Sequence, residues 1–165
     1  MASERFVAAL TEQIAREFAA AHQYVAIGNY YSAETFPQLT SFFYDQAEEE
    51  RGHAMKMVNY LIDMGIQPDI GGVESPKGGF GDHVEPIRLA LEQERQVTVK
   101  ISELFEIARE TRDYTSEQFM TWFLDEQVEE EAAMGDLLAV AERTVSVPML
   151  LEEYLARDKP GARPE

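Results

Sequence analysis

The chain has 165 residues, enough for one domain with a sizeable core, and at 45% hydrophobic residues it is not a disordered acidic tail. With 31 acidic against 14 basic residues, its formal charge of −17 argues against nucleic acid, which needs clustered Lys and Arg, and suits cations. It has no cysteine, which excludes disulfides and thiolate metal sites and fits a reducing compartment.

The segment Met1 to Phe6 has no apolar signal core, and no stretch approaches the roughly 20 apolar residues of a membrane span. The expectation is a soluble, cytoplasmic protein. Ser3 is a good N-cap and Glu4 favours a first turn, so a helix is predicted over 4–34. On it Leu10, Ile14, Glu17, Ala21, Tyr24, Gly28 and Tyr31 share one face. Pro37 opens a second helix, 37–64, whose shared face is Leu39, Phe43, Ala47, Glu50, His53, Ala54, Met57 and Leu61. Gly65 is a natural stop.

Residues 66–83 hold five glycines and two prolines and read as neither helix nor strand. Such a loop is unusual in a compact domain unless it does geometric work. About 17 extended residues reach some 56 Å, against about 42 Å for a 28-residue helix, so this loop can run the length of a bundle.

Pro86 opens a third helix, 84–111, with Ile87, Leu91, Glu94, Val97, Ile101, Phe105 and Ala108 facing inward. Asp113 to Ser116 is a turn with capping residues. A fourth helix over 116–143 buries Phe119, Phe123, Gln127, Glu130, Met134, Leu137 and Ala141. Pro148 opens a short fifth helix, 148–156, carrying Met149, Leu150, Leu151, Tyr154 and Leu155. Short, long and short connections between four long helices describe an all-α four-helix bundle with one long crossover and a short fifth helix. Residues 1–156 form the single domain; 157–165 is a charged tail expected to be mobile.

Each long helix carries one carboxylate on its apolar face near mid-length: Glu17, Glu50, Glu94 and Glu130. Four carboxylates in an apolar interior cannot all be ionised without compensating charge, and no Lys or Arg lies on these faces. Glu50 and His53, three apart on a helix, lie about 60° apart and can meet one metal ion. Hard oxygens with one imidazole suit Fe(II) or Mn(II), and zinc would also bind. The inferred site is dinuclear: Glu17, Glu50 and His53 on one metal, with Glu50 bridging to a second held by Glu94 and Glu130. Gln127 points inward one turn before Glu130. The alternative for the set is a metal-free buried polar network.

Tyr24 lies two turns from Glu17 and can hydrogen-bond a metal ligand, donate an electron, or simply fill the core. Trp122 reads first as packing. Glu49, Glu126 and Glu129 form either a looser third metal site or a solvated acidic face. His22 and His83 need no metal role.

The one-Glu-per-helix pattern with Glu50-x-x-His53 resembles the ferritin-like di-iron carboxylate bundles. Gln127-x-x-Glu130 stands where a second Glu-x-x-His would be, unlike bacterioferritins and rubrerythrin-type enzymes and similar to the non-haem bacterial ferritins. Gly52 occupies the position of the haem-ligating Met of bacterioferritins, which implies no haem. The resemblance covers nearly the whole chain. It implies a ferroxidase centre of Glu17, Glu50, His53, Glu94, Gln127 and Glu130, an extra iron site of Glu49, Glu126 and Glu129, and aromatics near the centre at Tyr24 and Trp122. It also implies a hollow shell of 24 subunits storing ferric oxyhydroxide. Fe(II) would be oxidised by dioxygen or hydrogen peroxide to a bridged di-ferric product that moves to the cavity. Acidic residues at the start of the fourth helix, such as Glu117, are candidates for an entry pore. Phe18, Val25, Phe42 and Tyr60, at or outside the margin of the inward stripe, favour self-association. The rival readings are a di-iron oxygenase or peroxidase of the rubrerythrin or bacterioferritin type, and a structural acidic bundle.

Overall fold

The computed structural model describes residues 2–161. Five helices follow in order: α1 (Glu4–Ala33), α2 (Pro37–Asp63), α3 (Glu85–Glu110), α4 (Tyr114–Arg143) and α5 (Met149–Arg157). Tight turns join α1 to α2 and α3 to α4, and each pair packs closely; α1 also packs on α3, and α5 rests on α2 and α4. The bundle with one long crossover is as the spacing predicts. No strand occurs among the described residues, and none of the helices is long and apolar enough to cross a membrane.

Local chemistry sets the helix ends. Ser3 accepts from the Phe6 amide to start α1, and Asp113 accepts from the Ser116 amide to start α4, two residues earlier than the sequence suggests. Three helices stop in the same way. Thr35, Gly65 and Arg112 adopt left-handed φ of 64°, 77° and 54°. The next amides, of Phe36, Ile66 and Asp113, then bond back to Tyr31, Leu61 and Ala108. Glycine makes this cheap at 65; Thr35 and Arg112 adopt it without that help.

α2 begins at Pro37 with no capping side chain of its own. Its free amides are satisfied from α5. The buried Glu152 carboxylate accepts from the Gln38 and Leu39 amides at 2.8 and 3.0 Å. This contact docks α5 on the bundle, with Leu151 fully buried beside it.

The crossover segment is held at two points. The buried Gln23 amide donates to the Lys77 carbonyl at 2.9 Å and accepts from the Lys77 amide at 2.8 Å. The Tyr31 hydroxyl donates to the His83 carbonyl at 2.6 Å. Asp82 then accepts from the Val84 and Glu85 amides and launches α3.

The interior splits into two apolar clusters. One holds Tyr24, Tyr31, Phe43, Ile87, Met134 and Leu137; the other Phe6, Leu10, Ile14, Met57, Ile101 and Phe123. Each fully buried side chain of this size contributes about 1.5–3 kcal/mol, which offsets the cost of the polar layer between them. The inward stripes match the periodicity, with a drift toward the ends of α3 and α4. There Leu104 and Met120 are fully buried while Phe105 and Phe119 are half-exposed, because 3.6-residue turns rotate a fixed spacing off the core direction.

The tail expected from residue 157 begins differently. Arg157 closes α5, Asp158 and Lys159 are exposed, Pro160 is buried, and the Gly161 amide donates to Asp136 Oδ2 on α4. The rest of the tail, 162–165, lies outside the described residues.

Candidate metal centre

Glu17, Glu50, Glu94, Gln127, Glu130 and His53 are all at most 6% exposed and form one polar layer between the two apolar clusters. Their placement follows from the helix periodicity: each acid continues the apolar stripe of its own helix. Ligand atoms of Glu17, Glu50 and His53 lie within 4.8 Å of one another, as do those of Glu50, Glu94 and Glu130. Glu50 belongs to both groups. His53 Nδ1 is 3.5 Å from Glu50 Oε2 and 3.8 Å from Glu17 Oε2, too long for direct hydrogen bonds and suited to a shared ion between them.

The protonation chemistry is that of a site awaiting positive charge. Burial, then the neighbouring Glu94, Glu17 and Glu130, push the Glu50 carboxyl far above the usual range. Burial pushes Glu130 up to about 9, helped by Glu94, Glu49 and Glu126 and opposed by a hydrogen bond from Gln46. Burial raises Glu94 to about 7, against hydrogen bonds from Tyr24 and Gln127. Glu17 Oε2 and Glu50 Oε1 are buried with no hydrogen-bond donor. Among the described residues no Lys or Arg is buried. Orphaned buried oxygens, four acids and one imidazole fit a divalent or trivalent cation and little else.

A set of donors surrounds the acids. Tyr24, fully buried, donates to Glu94 Oε1, and burial followed by the Glu94 and Glu50 charges raises its own hydroxyl far above the ordinary range. Gln127 Nε2 donates to the Glu94 carboxylate at 3.1 Å and to the Glu94 carbonyl at 3.2 Å. Two further buried amides, neither acid nor histidine, complete the ring of donors. Gln13 donates to Glu17 at 2.7 Å, and Gln46 donates across the bundle to Glu130 at 2.7 Å. A signal for them exists: each stands four residues before an inward Glu, Gln13 before Glu17 and Gln46 before Glu50. Thr98, which bonds Glu131 at 2.6 Å and touches Gln127, has no such signal.

The accessory acids divide. Glu126 is half-buried, and its ligand atom joins those of His53 and Glu130 within 4.8 Å. Glu49 and Glu129 are exposed and fall outside that group, but both line the same cleft of about 880 Å³ that opens beside Glu130. At Glu49 burial raises the carboxyl, while His53 lowers it, Glu126 raises it and Lys159 lowers it. Trp122 packs edge-on against His53 at 5.6 Å and carries the Lys56 ammonium 4.0 Å over its ring. His22 is exposed and His83 stacks on Phe36. Glu117 is half-buried near Arg109 at 3.3 Å. Gly52 is exposed, with open space where a Cβ would stand. Of the outer apolar residues, Val25 is 44% exposed, and Phe18, Phe42 and Tyr60 are half-buried.

A model of the ferritin-like domain matches residues 7–144. Ferritin BfrB of Mycobacterium tuberculosis is 46% identical over 154 residues, 93% of this chain and 85% of that protein. A bacterial non-heme ferritin of Staphylococcus aureus is 42% identical over 132 residues, 80% of each chain. An open-pore ferritin from the archaeon Archaeoglobus fulgidus superposes with a TM-score of 0.91 at 28% identity, over 96% of this chain and 100% of that one.

Proposed function

The chain belongs to the ferritin family and stores iron, and from that premise we propose that the buried acid layer is its ferroxidase centre. The observation that carries this reading is the quartet Glu17, Glu50, Glu94 and Glu130 around His53, with orphaned oxygens and no buried cationic side chain among the described residues.

Iron is the substrate. Glu17, Glu50 and His53 would hold one ferrous ion; Glu94 and Glu130 would hold the second, with Glu50 shared. The anionic ligands favour Fe(III) over Fe(II), which lowers the reduction potential and drives electron transfer to dioxygen or hydrogen peroxide. The surrounding donors set the aim of the ligands. Tyr24 and Gln127 hold Glu94, Gln13 holds Glu17, and Gln46 holds Glu130. Because Glu50, Glu94 and Glu130 favour their protonated forms, iron entry expels protons from them. Gln127 would also offer a weak, easily released ligand, and Tyr24 an electron. Glu49, Glu126 and Glu129 would form an accessory third position in the cleft, through which product leaves.

Ferritins are multi-subunit, and this chain self-associates; the shell is taken to have 24 copies. Exposed Val145, Val147, Met149 and Leu150 at the α4–α5 junction support a subunit contact there. Glu117 is the candidate lining residue for an iron pore. Gly52 supports a centre without haem, and the family reading favours a cytoplasmic location. The oxygenase and structural readings gain no support from relatives that are ferritins.

Stopped-flow oxidation of added Fe(II) tests the centre. The Glu50→Ala protein should be far slower than wild type, because one side chain serves both ions. Equal rates would remove the centre from this layer.

A further inference from the structure

We propose that Thr98 and Glu131 are positioning residues for the buried metal pair: together they fix which end of the Gln127 amide faces Glu94. The inference rests on the ferroxidase reading above and adds to it two residues outside the ligand set.

Four side chains form a square between two helices. Glu94 and Thr98 stand one turn apart on α3, and Gln127 and Glu131 one turn apart on α4. Glu94 and Gln127 are buried, whereas Thr98 and Glu131 are half-buried. Three acceptors surround the Gln127 nitrogen. They are Glu94 Oε2 at 3.1 Å, the Glu94 carbonyl at 3.2 Å and Thr98 Oγ1 at 3.3 Å.

One proton decides the direction of these bonds. A threonine hydroxyl has a single hydrogen to give and can also accept. Thr98 Oγ1 has two acceptors of its own in reach, Glu131 Oε1 at 2.6 Å and the Glu94 carbonyl at 3.1 Å. The shorter, charge-assisted contact takes the hydrogen. Toward Gln127 the hydroxyl can then only accept, so it selects the amide nitrogen. Turned over, the amide would set its oxygen against a carboxylate oxygen, a carbonyl oxygen and a hydroxyl whose hydrogen is already committed. The nitrogen therefore stays on Glu94. The oxygen diverges from the same carbon and is turned away, where it can serve as the weak ligand proposed above. Glu131 thus acts on the aim of Glu94 through Thr98 and Gln127.

Anaerobic titration of the iron-free, full-length shell with Co(II) tests this. One ion of the buried pair has an imidazole ligand and the other oxygen ligands from Glu94 and Glu130, so their visible bands differ. In Thr98→Val, which alters no charge, the Glu94 ion should bind about ten- to a hundredfold more weakly, with the imidazole-bearing ion unchanged. Thr98→Ser keeps the hydroxyl and should bind as wild type. Glu131→Gln lets the neighbouring side chain donate to Thr98, which frees the hydroxyl hydrogen for a reversed Gln127. It should weaken the same ion alone. The double variant Thr98→Val with Glu131→Gln should be no weaker than Thr98→Val, because both changes break one relay. Unchanged binding of the Glu94 ion in Thr98→Val overturns the role. So do losses that multiply in the double variant, or that fall equally on both ions, since Glu131 would then act through its charge. Wild type that takes up no pair of Co(II) ions would instead count against the ferroxidase centre, and the positioning role would fall with it.

Discussion

Gln46 on α2 reaches across the bundle and donates a 2.7 Å hydrogen bond to Glu130 on α4, inside the polar layer. It is the contact that opposes the upward push on the Glu130 carboxyl. Replacing Gln46 by Leu should therefore leave Glu130 harder to ionise and freer to turn. Outer partners of metal ligands usually account for roughly 10–100-fold in affinity. We expect Gln46→Leu to weaken divalent-metal binding at the buried pair by about that range, read by anaerobic titration, with little change in the helical signal. Unchanged affinity would mean that Glu130 is aimed by its backbone alone.

Stability without metal should fall as pH rises. Glu130 and Glu94 have folded-state values of about 9 and about 7 against an ordinary 4.5, and Glu50 is shifted in the same direction. The folded state thus binds more protons than the unfolded chain across that interval, so the slope of unfolding free energy with pH is negative. The stability these groups supply is full below about pH 4.5 and is lost as pH climbs toward 9. In chelator, wild type should show a falling denaturation midpoint between those limits, and Glu130→Gln a shallower fall. Loading with metal should flatten both profiles.

The α2 start depends on a residue 114 positions away along the chain, Glu152. Glu152→Ala leaves the Gln38 and Leu39 amides without their acceptor and should cost roughly 1–2 kcal/mol. Since the same carboxylate docks α5, the effect should also appear as easier dissociation of subunits in sedimentation at mild denaturant. Glu152→Gln, which keeps one acceptor, should lie between.

Gly28 on α1 sits under the Tyr44 ring of α2, and a Cβ there would come within 2.5 Å of a ring carbon. Alanine in a helix interior ordinarily gains about 1 kcal/mol over glycine. Here Gly28→Ala should instead destabilise, because Tyr44 must leave its place and its 2.7 Å bond to Asn29. In a Tyr44→Ala background the same change should turn stabilising. A double-mutant cycle by chemical denaturation measures that coupling.

The polar layer was legible because helix periodicity is local. Glu17, Glu50, Glu94 and Glu130 each interrupt an apolar stripe at a spacing any reader can count, and antiparallel packing brings them to one depth. Gln13 and Gln46 carried a weaker sign, their place one turn before an inward Glu. The bond from Gln46 could not be read, since it crosses to α4 rather than following its own helix. The same holds for Glu152 and for the contact of Gly161 with Asp136 on α4. Both depend on where α5 lands, and no local pattern encodes a contact between chain ends. Gly65 announced its helix stop by residue type, whereas Thr35 and Arg112 make the same turn with residues that seldom adopt it.

The grip of Gln23 on both backbone groups of Lys77 has a consequence for motion. Lys77 lies in the longest irregular stretch of the chain, with an exposed side chain and no neighbouring ladder. Its amide nonetheless ends on a glutamine that is only 3% exposed. Releasing that amide to solvent requires the buried side chain to let go, so deuterium should enter the flanking glycines quickly and Lys77 slowly. The crossover would then exchange as two short free arcs about a pinned midpoint, with the slowest amide of the segment at its centre.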